Sequence, residues 1–179
     1  MDLDTLRGLA PADQQMLLLG RIVHETTRMD AALRFLHAAL SGHTSTDGYL
    51  DAPDSFHMNA KACSSLVATH ETLEPHTRAA FESSIEAGRA AYKQRNRYAH
   101  DLLRASMVGD GWDRVPLSRQ RHASPVVVDA EGMIALVCDI VAATWRLRGA
   151  AMHTLGRGWS GLALGAVEGD WKGDATYVR

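Results

Sequence analysis

Hydrophobic residues recur every three or four positions along most of this chain, and that spacing limits its fold more than any other feature. The first such segment opens at Pro11, a residue suited to the first turn of a helix, and stops at Ser41-Gly42. The pattern predicts one long amphipathic helix that buries a single stripe against other helices. The expected stripe is Leu19, Ile22, Val23, Thr26, Met29, Leu33, Leu36 and Leu40.

The same spacing predicts three further helices, of which the second and the last helix of the chain are described first. The second helix is expected from about Met58 to Thr72, because Glu74-Pro75 interrupts the pattern. The last helix is expected to begin after Asp129, whose side chain suits an N-cap. Its expected stripe is Met133, Val137, Ile140, Thr144, Leu147 and Ala151.

The third helix is expected to run from about Pro75 to Met107. Its stripe is Phe81, Ile85, Gly88, Tyr92, Arg95, Ala99 and Leu102. Between this helix and the last one, only Val115-Pro116-Leu117 and Val126-Val127-Val128 are typical of strands.

Together these patterns predict an all-α fold, an antiparallel bundle of about four helices with a short β-like loop before the last helix. Residues 1–155 are expected to form this helical domain. Residues 156–179 contain six glycines and no helical period, so we expect an irregular Gly-rich C-terminal extension there.

Composition points to a globular protein inside the cell. Of the 179 residues, 46% are hydrophobic and 22% charged, and no apolar run approaches the roughly 20 residues of a membrane span. The acidic start Met1-Asp2-Leu3-Asp4 lacks the basic residues of a signal peptide. Cys63 and Cys138 lie among small or apolar neighbours, as is typical of reduced thiols. We therefore expect a cytoplasmic protein with no membrane partner.

Positive charge is concentrated in one segment of the chain. From Arg89 to His122, eight basic side chains stand against three acidic ones, a formal charge of +5, whereas the remainder carries −7. Such a segment favours an anionic partner, which is a phosphate, a nucleic acid or a membrane surface. The alternative is a solvated helix face whose cations pair with the acidic remainder.

Arg95 occupies a position where the stripe of the third helix calls for a hydrophobic residue. An unpaired arginine in a core is costly, so Arg95 must have a carboxylate partner, face a subunit interface or line a polar cleft. Glu25 and Asp30 on the first helix are the candidate acids. On a helix, Asn96 and His100 lie about 40° apart, while Arg95 and His100 lie about 140° apart.

The stretch Arg95-Asn96-Arg97-Tyr98-Ala99-His100 contains an arginine, four residues and a histidine, with a polar residue directly after the arginine. It resembles the motif of the HEPN superfamily (higher eukaryotes and prokaryotes nucleotide-binding), whose helical bundles carry an Arg followed four to six residues later by a His. The resemblance covers about residues 13–155 in layout. A toxin subgroup of the family has a Tyr two residues after the His, where this chain has Leu102, so control through that tyrosine is not expected here.

The resemblance implies a metal-independent endoribonuclease in a toxin or antiviral defence context, with no cofactor. It makes Arg95 and His100 the catalytic pair, with Asn96 beside them to orient the imidazole or the phosphate. Histidine suits a base that takes the 2′-OH proton, and a guanidinium suits the charge of the phosphorane. The expected products are a 2′,3′-cyclic phosphate and a 5′-hydroxyl end.

RNA is the expected partner in this interpretation, and the substrate-binding candidates are Lys93, Arg97, Tyr98 and Arg104. The resemblance also implies a homodimer whose two motifs face one cleft, and it allows an antitoxin or sensor protein. The alternative is a non-catalytic HEPN-like module for dimerisation or for partner or nucleotide binding. No metal site is expected, because His24-Glu25 and His70-Glu71 each lack a second histidine four residues after the first.

Overall fold

Six helices and three short strands make up the part of the chain that the structure, a computed structural model, describes: residues 3–43, 46–100, 102–105, 110–115 and 126–156. The elements are α1 (Leu3–Arg7), α2 (Pro11–Leu40), α3 (Thr46–Leu50), α4 (Phe56–Thr69), α5 (Pro75–His100), β1 (Leu102–Ala105), β2 (Trp112–Val115), β3 (Val126–Val127) and α6 (Ala130–Thr154). Helices α2, α4, α5 and α6 pack around one hydrophobic core. The predicted helical bundle is therefore confirmed.

Helices α5 and α6 run antiparallel to each other. Phe81, near the start of α5, packs edge-on against His153, near the end of α6, with 5.9 Å between ring centroids. At the opposite end of the pair, the Tyr98 hydroxyl lies 3.9 Å from where a side chain at Gly132 would begin. The C-terminal turns of α5 therefore lie beside the start of α6.

Helix α2 runs in the same direction as α6, so the long helices do not simply alternate. Gln15 near the start of α2 donates to the carbonyl oxygen of Val128, which lies just before α6. The connection after α2 returns along that helix before α4 begins, because the Arg34 guanidinium donates to the carbonyl oxygens of Ala52 and Asp54. The starts of α2 and α6 and the end of α5 thus share one end of the bundle.

Most of the predicted core positions are buried. They are Ile22, Thr26, Met29, Leu33, Leu36, Leu40, Phe81, Ile85, Met133, Ile140, Thr144, Leu147 and Ala151. One prediction near the start of α2 is wrong, because Val23 is 43% exposed. Leu19 packs against the core but is only partly buried, while its neighbour Leu18 is buried. Glu25, about half a helical turn away from Val23, points into the core instead.

The third predicted helix is too long, because α5 ends at His100 instead of Met107. Leu102, which was expected in the buried stripe of that helix, begins strand β1 instead, and Ala99 is exposed. The pairing of β1 with the next strand of the chain, β2, replaces the local helical bonds. A strand partner outside the helix leaves no signature in helical periodicity.

A small antiparallel sheet of order β1-β2-β3 follows α5. Leu102 lies opposite Val115, and Arg114 lies opposite Val126. The predicted β-like loop is thus present, with Val115 and Val126-Val127 in strands, while Pro116 and Leu117 lie outside the described residues.

The buried side chain of Gln15 joins this sheet to the bundle. Its Nε2 donates to the carbonyl oxygen of Val128 at 2.7 Å, and its Oε1 accepts from the backbone N–H of Trp112 at 2.7 Å. A Cβ at Gly111 would lie 2.9 Å from the Gln15 Nε2, so glycine is required where the β2 segment crosses this amide. The two hydrogen bonds hold β2 and the start of α6 against α2.

None of the described helices is long and apolar enough to cross a bilayer. Helix α6 begins at the predicted N-cap, where Asp129 accepts from the N–H groups of Glu131 and Gly132, and it is followed by Gly156 with φ +64°. Residues 157–179, which hold nearly all of the predicted C-terminal extension, lie outside the described residues.

Candidate functional site

Arg95 lies in the second-last turn of α5 and is partly buried. Its Nη1 donates to Oδ1 of the neighbouring Asn96 at 3.2 Å, and its Nε is shielded from solvent with no hydrogen-bond partner. Within the described residues, no carboxylate forms an ion pair with it. A guanidinium has five N–H donors, and in the described part of the chain one hydrogen bond engages that of Arg95.

The two acids considered as partners for Arg95 have partners on their own helix. Glu25 is fully buried, and its carboxylate pairs with Arg21 at 2.8 Å and with Arg28 at 3.1 Å. Asp30 pairs at 3.2 Å with an arginine one turn further along α2. Neutralisation of Arg95 by either acid, which was one of the three options for a buried arginine, is therefore not observed.

An aromatic column supports the Arg95 guanidinium. Its Cζ lies 5.6 Å from the centroid of the Tyr92 ring, which is one helical turn earlier on α5. The Tyr92 ring in turn stacks on Phe56, the first residue of α4, with centroids 4.3 Å apart and planes 5° from parallel. Sequence reasoning placed Tyr92 in the core stripe and did not assign Phe56. The i, i+3 spacing of Tyr92 and Arg95 was the available signal.

The other predicted site residues of α5, catalytic and substrate-binding, point in different directions. Asn96 is partly buried beside Arg95. Lys93 and Arg97 are exposed, and Tyr98 packs against the core and approaches the start of α6. The structure thus brings Arg95 and Asn96 together and leaves Lys93 and Arg97 on the outer face of the helix.

His100 is the last residue of α5, so the motif ends where the helix ends. Its side chain lies outside the described part of the structure. Arg104 is not on the long helix, as the predicted helix bounds implied, but on β1 opposite Asp113. The motif therefore lies at the junction between the bundle and the small sheet.

The cysteines and histidines show no second catalytic arrangement in the described residues. Burial raises the pKa of the Cys63 thiol to about 12, so this thiol stays protonated at neutral pH and is a poor nucleophile. Both cysteines are free thiols. Among the described residues, no group of three or more His, Cys, Asp or Glu side chains could hold a metal ion.

Comparison with protein-family models, with curated proteins and with solved structures finds no match for this chain. The candidate site is therefore defined by its own geometry. It consists of a partly buried guanidinium that has no acidic partner among the described residues, an adjacent amide, and a histidine at the end of the same helix.

Proposed function

We propose that this protein is a metal-independent endoribonuclease of the HEPN type, with Arg95 and His100 as its catalytic pair. The observation that carries the proposal is the state of Arg95: it is partly buried, it has no carboxylate partner in the described residues, and its Nε is unpaired. Desolvation of an arginine without a counter-charge costs free energy. A bound phosphodiester supplies the missing negative charge and accepts from several N–H groups at once.

The proposed reaction needs one base and one cationic group. Neutral His100 takes the proton of the 2′-OH, the 2′ oxygen attacks the adjacent phosphorus, and the bond to the 5′ oxygen breaks. The 5′ oxygen leaves with a proton from water, which gives a 2′,3′-cyclic phosphate and a 5′-hydroxyl end. Arg95 stabilises the negative charge that builds up on the phosphorane, and Asn96 holds the Arg95 guanidinium through its Oδ1.

The partners and setting are part of the same proposal. Two chains would form a homodimer that brings both motifs to one cleft and combines their basic segments along an RNA backbone. A cytoplasmic toxin or antiviral effector, controlled by an antitoxin or a sensor protein, is the proposed context. Light scattering would test the dimer, because the particle should weigh twice the 19.5 kDa of one chain.

RNA cleavage by the purified protein in EDTA tests the activity. We expect the wild type to cleave, and Arg95→Ala and His100→Ala each to lose about 100-fold or more in rate. Arg78→Ala is the matched control, because Arg78 lies on the same helix but outside the basic segment, and its guanidinium donates to the carbonyl oxygens of His70 and Leu73. Its rate should equal that of the wild type. The 3′ ends of the products should carry a cyclic phosphate.

Two results would contradict the proposal. An equally active His100→Ala protein would place the activity at another site or in a contaminant. A folded, dimeric wild type that cleaves no RNA would favour the alternative, a non-catalytic module that dimerises or binds a partner or nucleotide.

A further inference from the structure

Helix α4 contributes to the candidate site through the stacked rings of Phe56 and Tyr92. We propose that Tyr92 is a positioning residue for Arg95, and that Phe56 fixes the Tyr92 ring in the orientation this requires. The inference rests on the proposed function for its catalytic meaning. Its geometric content stands on the contacts of the described residues alone.

The Phe56 ring, at the base of this aromatic column, is tightly packed. Phe56 is 4% exposed and follows Ser55, the N-cap of α4. The tip of its ring lies 3.4 Å from where a Cβ at Gly88 would be, in a space that Leu147 and Met29 also line. Three helices therefore hold the Phe56 ring, and its parallel stack leaves the Tyr92 ring little freedom to turn.

The Arg95 side chain, at the other end of the column, needs a neighbour that limits its conformations. Arginine has a long side chain with about 2 kcal/mol of rotamer entropy. Within the described residues, the one hydrogen bond of the Arg95 side chain goes to Asn96, the next residue on the same helix, at 3.2 Å. A positive group over the face of a tyrosine is attracted by the ring, and the face of Tyr92 lies 5.6 Å from the Arg95 Cζ. The ring thus selects the guanidinium position before the substrate binds, which is how preorganised sites gain rate.

Single-turnover RNA cleavage by three variants separates positioning from stability. Tyr92→Leu removes the π face and should lower the rate constant about fivefold to tenfold. Tyr92→Phe keeps the ring and should retain most of the rate, since the attraction does not need the hydroxyl. Phe81→Leu is the matched control, because Phe81 is also a buried aromatic residue of α5 but lies at the other end of the helix. It should lower the melting temperature and leave the rate of the folded protein unchanged.

A double variant sharpens the kinetic test. In the Arg95→Ala background, Tyr92→Leu should cause no further loss, because the ring acts through the arginine. Equal losses in both backgrounds, or a Tyr92→Leu protein that cleaves at the wild-type rate, would overturn the inference.

A second readout does not depend on RNA cleavage. In protein labelled with ¹⁵N-arginine, the Nε–Hε resonance that disappears in Arg95→Lys reports the position of this side chain. The ring current of Tyr92 should displace that resonance, Tyr92→Leu should move it towards the value of a free arginine, and Tyr92→Phe should not. A resonance that stays in place in Tyr92→Leu would refute the positioning role. If the wild type cleaves no RNA, the proposed function fails and this measurement alone decides the inference.

Discussion

The middle of α2 and the last turns of α5 each carry a charged residue on a helix face that packs inward, and they treat it differently. Glu25 has no exposed surface, yet it pairs with Arg21 and Arg28, each within one turn of the same helix. Arg95 keeps partial exposure and has only an aromatic face and one amide oxygen around it in the described residues. The first charge is neutralised within its own helix, and the second has no acidic partner in the described residues.

Under the proposed function, this difference separates a structural charge from a functional one. A buried ion pair with both partners in place stabilises the fold only weakly, but removal of one partner is strongly destabilising. A partly buried charge without a partner destabilises the ligand-free protein, and an anion that binds to it offsets this cost. Stability measurements should therefore respond to Glu25, and ligand or activity measurements should respond to Arg95.

The largest expected effect tests this contrast directly. Glu25→Ala should lower the free energy of unfolding by about 3 kcal/mol, because it removes the carboxylate that Arg21 and Arg28 share and leaves a cavity in the core. The Arg21 and Arg28 side chains are 30% and 34% exposed, so both can be solvated after the substitution. The expected loss of unfolding free energy therefore lies at the low end of the range for a broken buried ion pair. Arg95→Ala should change it by less than about 1 kcal/mol. Urea unfolding of both variants measures this, and equal losses would remove the distinction.

A buried neutral group should fall between these two. Gln15→Ala leaves the Trp112 N–H and the Val128 carbonyl without their shared partner and should cost about 2 kcal/mol. Its neighbour Gln14 provides the control, since its Nε2 also bonds two carbonyl oxygens but near the surface. Gln14→Ala should cost about 0.5–1 kcal/mol in the same urea experiment. A smaller loss for Gln15→Ala than for Gln14→Ala would contradict the assigned role of Gln15.

At the candidate site, stability and function should move in opposite directions. Asn96→Ala replaces a poor helix former by the best one, and the bond it removes is a partly exposed contact between adjacent side chains. We expect a gain in unfolding free energy of about 0.5 kcal/mol together with slower RNA cleavage. A variant that loses both stability and activity would show that Asn96 is a structural residue.

The smallest expected effect concerns His37 near the end of α2. Burial and the nearby His43 lower the pKa of His37 below its usual 6.5, while Asp51 acts in the opposite direction. The unfolded chain therefore takes up a proton more readily than the folded protein as the pH falls through 6.5. Stability should decrease slightly below that pH and be fully present above it. Thermal melts at pH 5 and pH 8 should show a smaller difference for His37→Asn than for the wild type.

Local patterns in the sequence account for much of this molecule. The bounds of α2 and the N-cap at Asp129 follow from Pro11, Ser41-Gly42 and the acidic side chain itself. The partners of Glu25 were also readable, because arginines stand four residues before it and three after it. The anomalous position of Arg95 was visible as a polar residue in an apolar stripe.

Other features depend on residues outside the helix that shows the pattern. The end of α5 at His100 depends on the pairing of the next two strands, and the column over Arg95 depends on Phe56, which belongs to another helix. Gln15 is a polar residue near the start of α2, and only the fold places two backbone groups from distant parts of the chain beside its amide. Helical periodicity carries no information about such partners.

The hydrogen bonds of Gln15 also set an order of assembly. They join residues that are 97 and 113 positions apart, and closing loops of that length is among the slower steps of folding. The α2, α4 and α5 helices can pack as neighbouring segments of the chain, but the bond between Gln15 and Val128 forms only when the start of α6 has been added. During synthesis on a ribosome, this join between α2 and α6 is therefore completed only after Val128 has left the exit tunnel.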